Sequence, residues 1–178
     1  DQKFGLSLAS GAAMDAVRRV FAADNLRLVG LHSHIGSQIF DTNGFEVAAR
    51  RTLRLMSQFK EATGVTLPEL DLGGGFGIAY TIDDSPATPA DLAHGLSEII
   101  EHECRAFGLD KPMLSLEPGR AISGPPGTAL YTVGPIKDVE LGGGQGQYLT
   151  SDPCHDDHGT RRAVTRPGEL PVRIAQRA

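Results

Sequence analysis

A parallel α/β fold is what this sequence predicts, and three observations predict it. Short apolar runs recur at residues 26–31, 70–72 and 113–116, roughly 40 residues apart, the length of a strand plus a crossover helix. Stretches with helical periodicity fill the gaps between them. Each run ends in polar or glycine-rich residues, and chemistry gathered at several strand ends suits a (β/α)8 barrel. An open doubly wound sheet would share some of these features.

Taken in order, Ser10 is placed to cap a helix over about residues 11–23, with Met14, Val17 and Phe21 on one face. Asp24-Asn25 ends it, and the first strand runs into His32-Ser33-His34-Ile35-Gly36-Ser37-Gln38. Asp41 or Asn43 can cap a second helix, about 44–63, whose apolar face is Phe45, Ala49, Leu53, Met56 and Phe59. Gly64 stands where a left-handed stop is expected. The central strand breaks into Gly73-Gly74-Gly75-Phe76-Gly77, and residues 81–87 form a polar loop containing proline. Thr88-Pro89-Ala90-Asp91 opens a third helix, with threonine as cap and proline in the first turn. Leu92, Leu96, Ile99, Ile100 and Phe107 give it an apolar stripe, and Gly108 ends it. The third strand leads to Glu117-Pro118-Gly119-Arg120.

After Gly124-Pro125-Pro126-Gly127 the texture changes. Residues 128–141 are rich in β-formers (Leu130, Tyr131, Val133, Ile136, Val139) with no helix after them, as at the start of an all-β domain. Gly142-Gly143-Gly144-Gln145-Gly146 reads as a flexible turn and 147–151 as one more strand. From Pro153 no periodicity is sustained, and Arg161, Arg162, Arg166, Arg173 and Arg177 crowd a tail expected to be disordered or read in a shifted frame.

Composition narrows the function. The 178 residues suffice for one domain with a core, and a net charge of −5 without a basic patch over residues 1–150 argues against nucleic acid. No run approaches the ~18 apolar residues of a membrane span, and no signal peptide opens the chain. Two cysteines, Cys104 and Cys154, argue against a disulfide framework and suit a reducing cytoplasm. The opening Asp1-Gln2-Lys3-Phe4-Gly5 has no initiator methionine and reads as the interior of a longer chain.

The three glycines are the chemical centre. Glycine permits positive φ, and its missing Cβ lets backbone N–H groups approach a ligand; successive N–H groups make a concavity suited to phosphate. His94 and His102, on the third helix, are expected to be solvated, Cys104 to pack as a small hydrophobe, and His32 to be structural. Cys154, His155 and His158 have loosely metal-like spacing without a scaffold, and no metal is expected.

Read together and in order, the segments 32–38, 70–77 and 116–120 resemble the pyridoxal-phosphate (PLP) decarboxylases with an alanine-racemase-like barrel, in particular the diaminopimelate decarboxylases. Lys3-Phe4-Gly5-Leu6 fits the same family, and Gln38 followed by Ile39-Phe40-Asp41 is more similar to the diaminopimelate branch than to the ornithine branch. The resemblance covers about residues 1–141. It implies the C-terminal part of a TIM (β/α)8 barrel followed by the start of an all-β domain. Residues 1–124 would be a partial PLP-binding barrel, 125–152 the beginning of the β domain and 153–178 an irregular tail. The implied reaction is PLP-dependent removal of CO2 from meso-2,6-diaminopimelate to give L-lysine, in lysine biosynthesis, by a cytoplasmic homodimer acting on a small amino acid.

The resemblance also implies roles. His34 would lie against one face of the pyridine ring. Ser37 and the N–H groups of Gly73, Gly74 and Gly75 would hold the phosphate, with Gly119 and Arg120 also at the cofactor. Glu117 would face the pyridine nitrogen and keep it protonated, the state in which the ring draws off the electrons left by CO2. Arg120 would bind a substrate carboxylate through its forked guanidinium. The family's Schiff-base lysine lies on the first barrel strand. None of Lys3, Lys60, Lys111 or Lys137 has that setting, so no catalytic residue is assigned and the chain alone is expected to be inactive. An inactive gene fragment, or a piece of another PLP-dependent decarboxylase of this fold, are the alternatives.

Overall fold

Three short parallel strands, β1 (Gly30–His32), β2 (Glu69–Asp71) and β3 (Met113–Ser115), lie side by side in chain order. They belong to a computed structural model that describes residues 5–80, 83–127, 133–141, 144–151 and 163–165. Leu31, Leu70 and Leu114 are in register across the strands and all pack into one apolar core. Strand side chains alternate, so the rows before and after this leucine row turn to the opposite face. His32, Asp71 and Ser115 form one of those rows.

Two helices build the core beneath the leucines. From α2 (Asn43–Thr63) come Phe45, Ala49, Leu53, Met56 and Phe59, each at most 1% exposed, the face that helical periodicity selects. From α3 (Pro89–Phe107) come Leu96, Ile100 and the buried Cys104, with Leu92, Ile99 and Phe107 at the margin. The preceding α1 (Ala12–Phe21) buries Val17 and sets Phe21 edge-on against Phe59, with ring centroids 5.2 Å apart. None of the described helices is long and apolar enough to cross a membrane.

Local chemistry sets the helix ends. Gly64 and Gly108 stop α2 and α3 with φ of 74° and 61°. Ser57 and Lys60 of α2 donate to the carbonyls of Phe107 and Gly108, which satisfies the open end of α3. At its start, the Thr88 hydroxyl accepts the Asp91 N–H at 3.2 Å while the Asp91 carboxylate accepts the Thr88 N–H at 3.3 Å. Thr88→Ala removes the threonine arm of this box and is expected to cost about 1 kcal/mol, read as a lower urea midpoint of the full-length protein.

Some boundaries differ from expectation. Gly11 rather than Ser10 is the N-cap of α1, although the Ser10 hydroxyl accepts the Ala12 N–H at 3.4 Å. The first strand covers three residues instead of six, because a ladder forms only where its neighbour β2 supplies partners. After β3 comes α4 (Gly119–Ser123), a five-residue helix too short to carry a periodic signal.

Between α2 and α3 lies an ion pair that the periodicity does not announce. Glu103 is 2% exposed, and the Arg50 guanidinium reaches it at 2.7 and 2.9 Å while also pairing with Glu46 at 2.9 Å. The hydrogen bond from Arg50 leads in holding the Glu103 carboxyl below its usual range, against the opposing effect of burial. A depressed folded-state value means stability that is present above the unfolded carboxylate pKa of about 4.3 and lost as pH falls through the lowered folded value. Glu103→Gln is therefore expected to be less stable than the parent at pH 7, with the gap closing below about pH 4. Urea melts across pH check this.

The chain divides into two compact units, Asp1–Gly127 and Thr128–Ala178. In the second, β4 (Val133–Leu141) pairs antiparallel with β5 (Gly144–Ser151), and β5 with β6 (Ala163–Thr165). β6 falls within the stretch expected to be irregular. The rest of that stretch, with Cys154, His155 and His158, lies outside the described residues, as does Lys3-Phe4.

Candidate functional site

The three strands point the same way, so the loops that follow them meet at one end of the sheet. Pairing continues past the strands. Ser33 N–H donates to the Asp71 carbonyl at 2.9 Å, Leu72 N–H to Ser115 at 3.2 Å and Glu117 N–H to Gly73 at 2.9 Å. The loops after β1 and β2 are then knitted together, Ile39 N–H donating to Gly75 at 2.9 Å and Gly77 N–H to Ile39 at 2.8 Å. Gln38 extends this ladder with its side chain, donating from Nε2 to the Ile78 carbonyl at 2.6 Å and accepting the Ile78 N–H at 3.5 Å. Its φ of 59° is left-handed, at a cost of about 1–2 kcal/mol for a residue with a Cβ. The two side-chain bonds hold it there.

Close approach explains the glycines. A Cβ on Gly74 would lie well inside contact distance of the Glu117 carbonyl oxygen, and one on Gly75 would overlap the Gly36 carbonyl oxygen. The loops after β1 and β3 thus both rest directly on the glycine backbone. Phe76, next in line, is 5% exposed and stacks on Phe45 at 5.0 Å, which anchors the glycine loop in the core.

Between these loops is a cleft of about 180 Å³. Its lining takes His34 and Ser37 from the first loop, Gly74 and Gly75 from the second, and Glu117, Gly119 and Arg120 from the third. Of the residues assigned to the cofactor in the sequence, Gly73 alone is not in the lining; its N–H is donated to the Asp71 carboxylate at 2.8 Å. The Gly74 N–H points to His34 Nδ1 at 3.4 Å. Glu117 is half exposed, its carboxylate 3.5 Å from His32 Nε2. His32 thus stands beside a residue of the cleft without lining the cleft itself. Its nitrogen and carboxylate oxygens of Asp71 and Glu117 lie within 4.8 Å of one another. Tyr80, which no sequence signal singled out, accepts a hydrogen bond from Arg120 Nη1 at 2.5 Å. His94 and His102 are exposed on α3, as expected.

Gly119 gives a test of fit. It has no left-handed φ, and a Cβ there would meet nothing within 4 Å, so neither backbone nor packing demands glycine. What the position leaves is room. Around that room stand a hydroxyl and the Gly75 N–H for a phosphate, an imidazole for a ring face, and a carboxylate for a protonated ring nitrogen. This donor set fits PLP.

The sequence profile described as pyridoxal-dependent decarboxylase, pyridoxal binding domain, matches residues 1–124. The chain belongs to this family, whose cofactor is pyridoxal phosphate. Within it, the chain is 50% identical over 182 aligned positions to the diaminopimelate decarboxylase of Mycobacterium leprae, covering 99% of this chain and 38% of that one. The crystal structure of diaminopimelate decarboxylase from M. jannaschii matches with a TM-score of 0.65 at 32% identity, over 84% of this chain and 33% of that one. Lysine/ornithine decarboxylase from Vibrio vulnificus, complexed with cadaverine, matches with a TM-score of 0.55 at 29% identity, over 84% and 38%. The chain spans 33–38% of the length of these relatives.

Proposed function

We propose that this chain is the part of a diaminopimelate decarboxylase that carries much of its cofactor cleft, in an enzyme converting meso-2,6-diaminopimelate to L-lysine and CO2. One observation carries the reading: groups suited to a phosphate, a ring face, a ring nitrogen and a carboxylate line a single cleft, from three successive strand ends. PLP, when bound, supplies the electron-withdrawing ring that decarboxylation of an amino acid requires. The chain's residues do the holding. Ser37 and the N–H group of Gly75 bind the phosphate, while Gly73 and Gly74 shape that loop through their N–H bonds to Asp71 and His34. His34 covers a ring face, oriented by the Gly74 N–H. Glu117 keeps a proton on the pyridine nitrogen and is itself steadied by His32. Gly119 leaves space for the cofactor, and Arg120 binds a substrate carboxylate.

In this reading residues 1–124 are part of a PLP-binding (β/α)8 barrel and 125–152 begin a β domain, in a cytoplasmic homodimer. None of Lys3, Lys60, Lys111 and Lys137 anchors the cofactor. The test uses the full-length protein, offered meso-2,6-diaminopimelate, L-ornithine and L-lysine in turn, with CO2 and product measured. Turnover of diaminopimelate is expected to exceed that of the others by about 10²-fold or more. Faster turnover of ornithine or lysine would overturn the assignment.

A further inference from the structure

We propose that Tyr80 is a positioning residue for Arg120, setting its guanidinium for a substrate carboxylate; this rests on the reading of Arg120 given above. Arg120 sits on α4, whose five residues offer little to fix a long side chain. Tyr80, in the loop beyond the glycines, does so in two ways. Its hydroxyl accepts a hydrogen bond from Arg120 Nη1 at 2.5 Å, and its ring lies 5.8 Å from the guanidinium carbon. The Tyr80 backbone is held in turn, its N–H donated to the Asp84 carboxylate at 2.8 Å.

One of the five guanidinium N–H donors is thus engaged by the phenol, and the others remain to meet a carboxylate. Both residues are exposed, so the pair adds little to the core. Its effect is on freedom. Arginine has several rotatable bonds to fix on binding, and tyrosine is a rigid partner with two. A guanidinium already held at the cleft has less freedom to lose when substrate arrives.

Tyr80→Phe in the full-length enzyme keeps the ring beneath Arg120 and removes only the hydroxyl. KM for the amino-acid substrate is expected to rise about 3- to 10-fold, with kcat within about twofold and PLP content per chain unchanged. Arg120→Lys, measured alongside, is expected to raise KM further. If Arg120→Lys raises KM and Tyr80→Phe does not, the inference is overturned while the reading of Arg120 stands. If Arg120→Lys leaves KM unchanged, that reading falls and the inference with it. Loss of bound PLP, or a fall in kcat at constant KM, in Tyr80→Phe would overturn the positioning role by pointing to a structural one.

Discussion

Gly74→Ala, made in the full-length protein, is expected to abolish retention of PLP and to destabilise the fold by about 3 kcal/mol. The new methyl would meet a backbone carbonyl, that of Glu117, and not the yielding end of a side chain. Something in the backbone has to move. If the loop after β3 shifts, Glu117, Gly119 and Arg120 leave the cleft together. If the glycine loop withdraws instead, it strains the Glu117–Gly73 and Ile39–Gly75 hydrogen bonds that knit the three loops. Gly119→Ala is the control. Its methyl enters open space, so stability should stay within about 0.5 kcal/mol while PLP affinity falls. Urea melts and cofactor absorbance per chain separate the two effects. Equal stability losses in both variants would mean that the loops do not pack as described.

Glu117→Gln is expected to reduce kcat by about 10²- to 10³-fold while leaving PLP bound and stability nearly unchanged. Glutamine has the size of glutamate, and this side chain is half exposed, so packing loses little. What disappears is the negative charge. A neutral amide gives a ring nitrogen no reason to keep its proton, and the electron-withdrawing character on which decarboxylation depends falls with it. A steady-state assay alongside the absorbance of bound cofactor is the measurement. A loss below about tenfold would remove Glu117 from the role assigned to it.

What could be read from the sequence was what repeats locally. The apolar face of α2 was legible because five residues obey the helical period, and burial follows it. Thr88-Pro89 and Gly64 announced helix ends because capping depends on neighbours a few positions away. Most of the cleft was legible through three ordered motifs, and all but one of the residues assigned to the cofactor line it. The missing information concerns pairs. Glu103 on α3 looks like any helical glutamate until Arg50 of α2 is brought beside it. His32 joins Asp71 and Glu117 only through strand register, and Gln38 finds Ile78 only once two loops have met. Tyr80 follows the glycine motif as an ordinary loop residue, and its tie to the cleft shows only once Arg120 is beside it. Gly73 shows the reverse case. It belongs to the motif, yet its N–H serves the loop's own Asp71.

The bonds His34–Gly74, Gln38–Ile78 and Tyr80–Arg120 each join residues 40 positions apart. On the ribosome that separation is a waiting time. At about 5–20 residues per second, each partner is made roughly 2–8 s after the residue that needs it. Gln38 is therefore made before the partner that holds its folded left-handed backbone exists, and Tyr80 waits equally long for Arg120. The residues of the site are thus synthesised in instalments from the amino-terminal side, with each helix setting the interval.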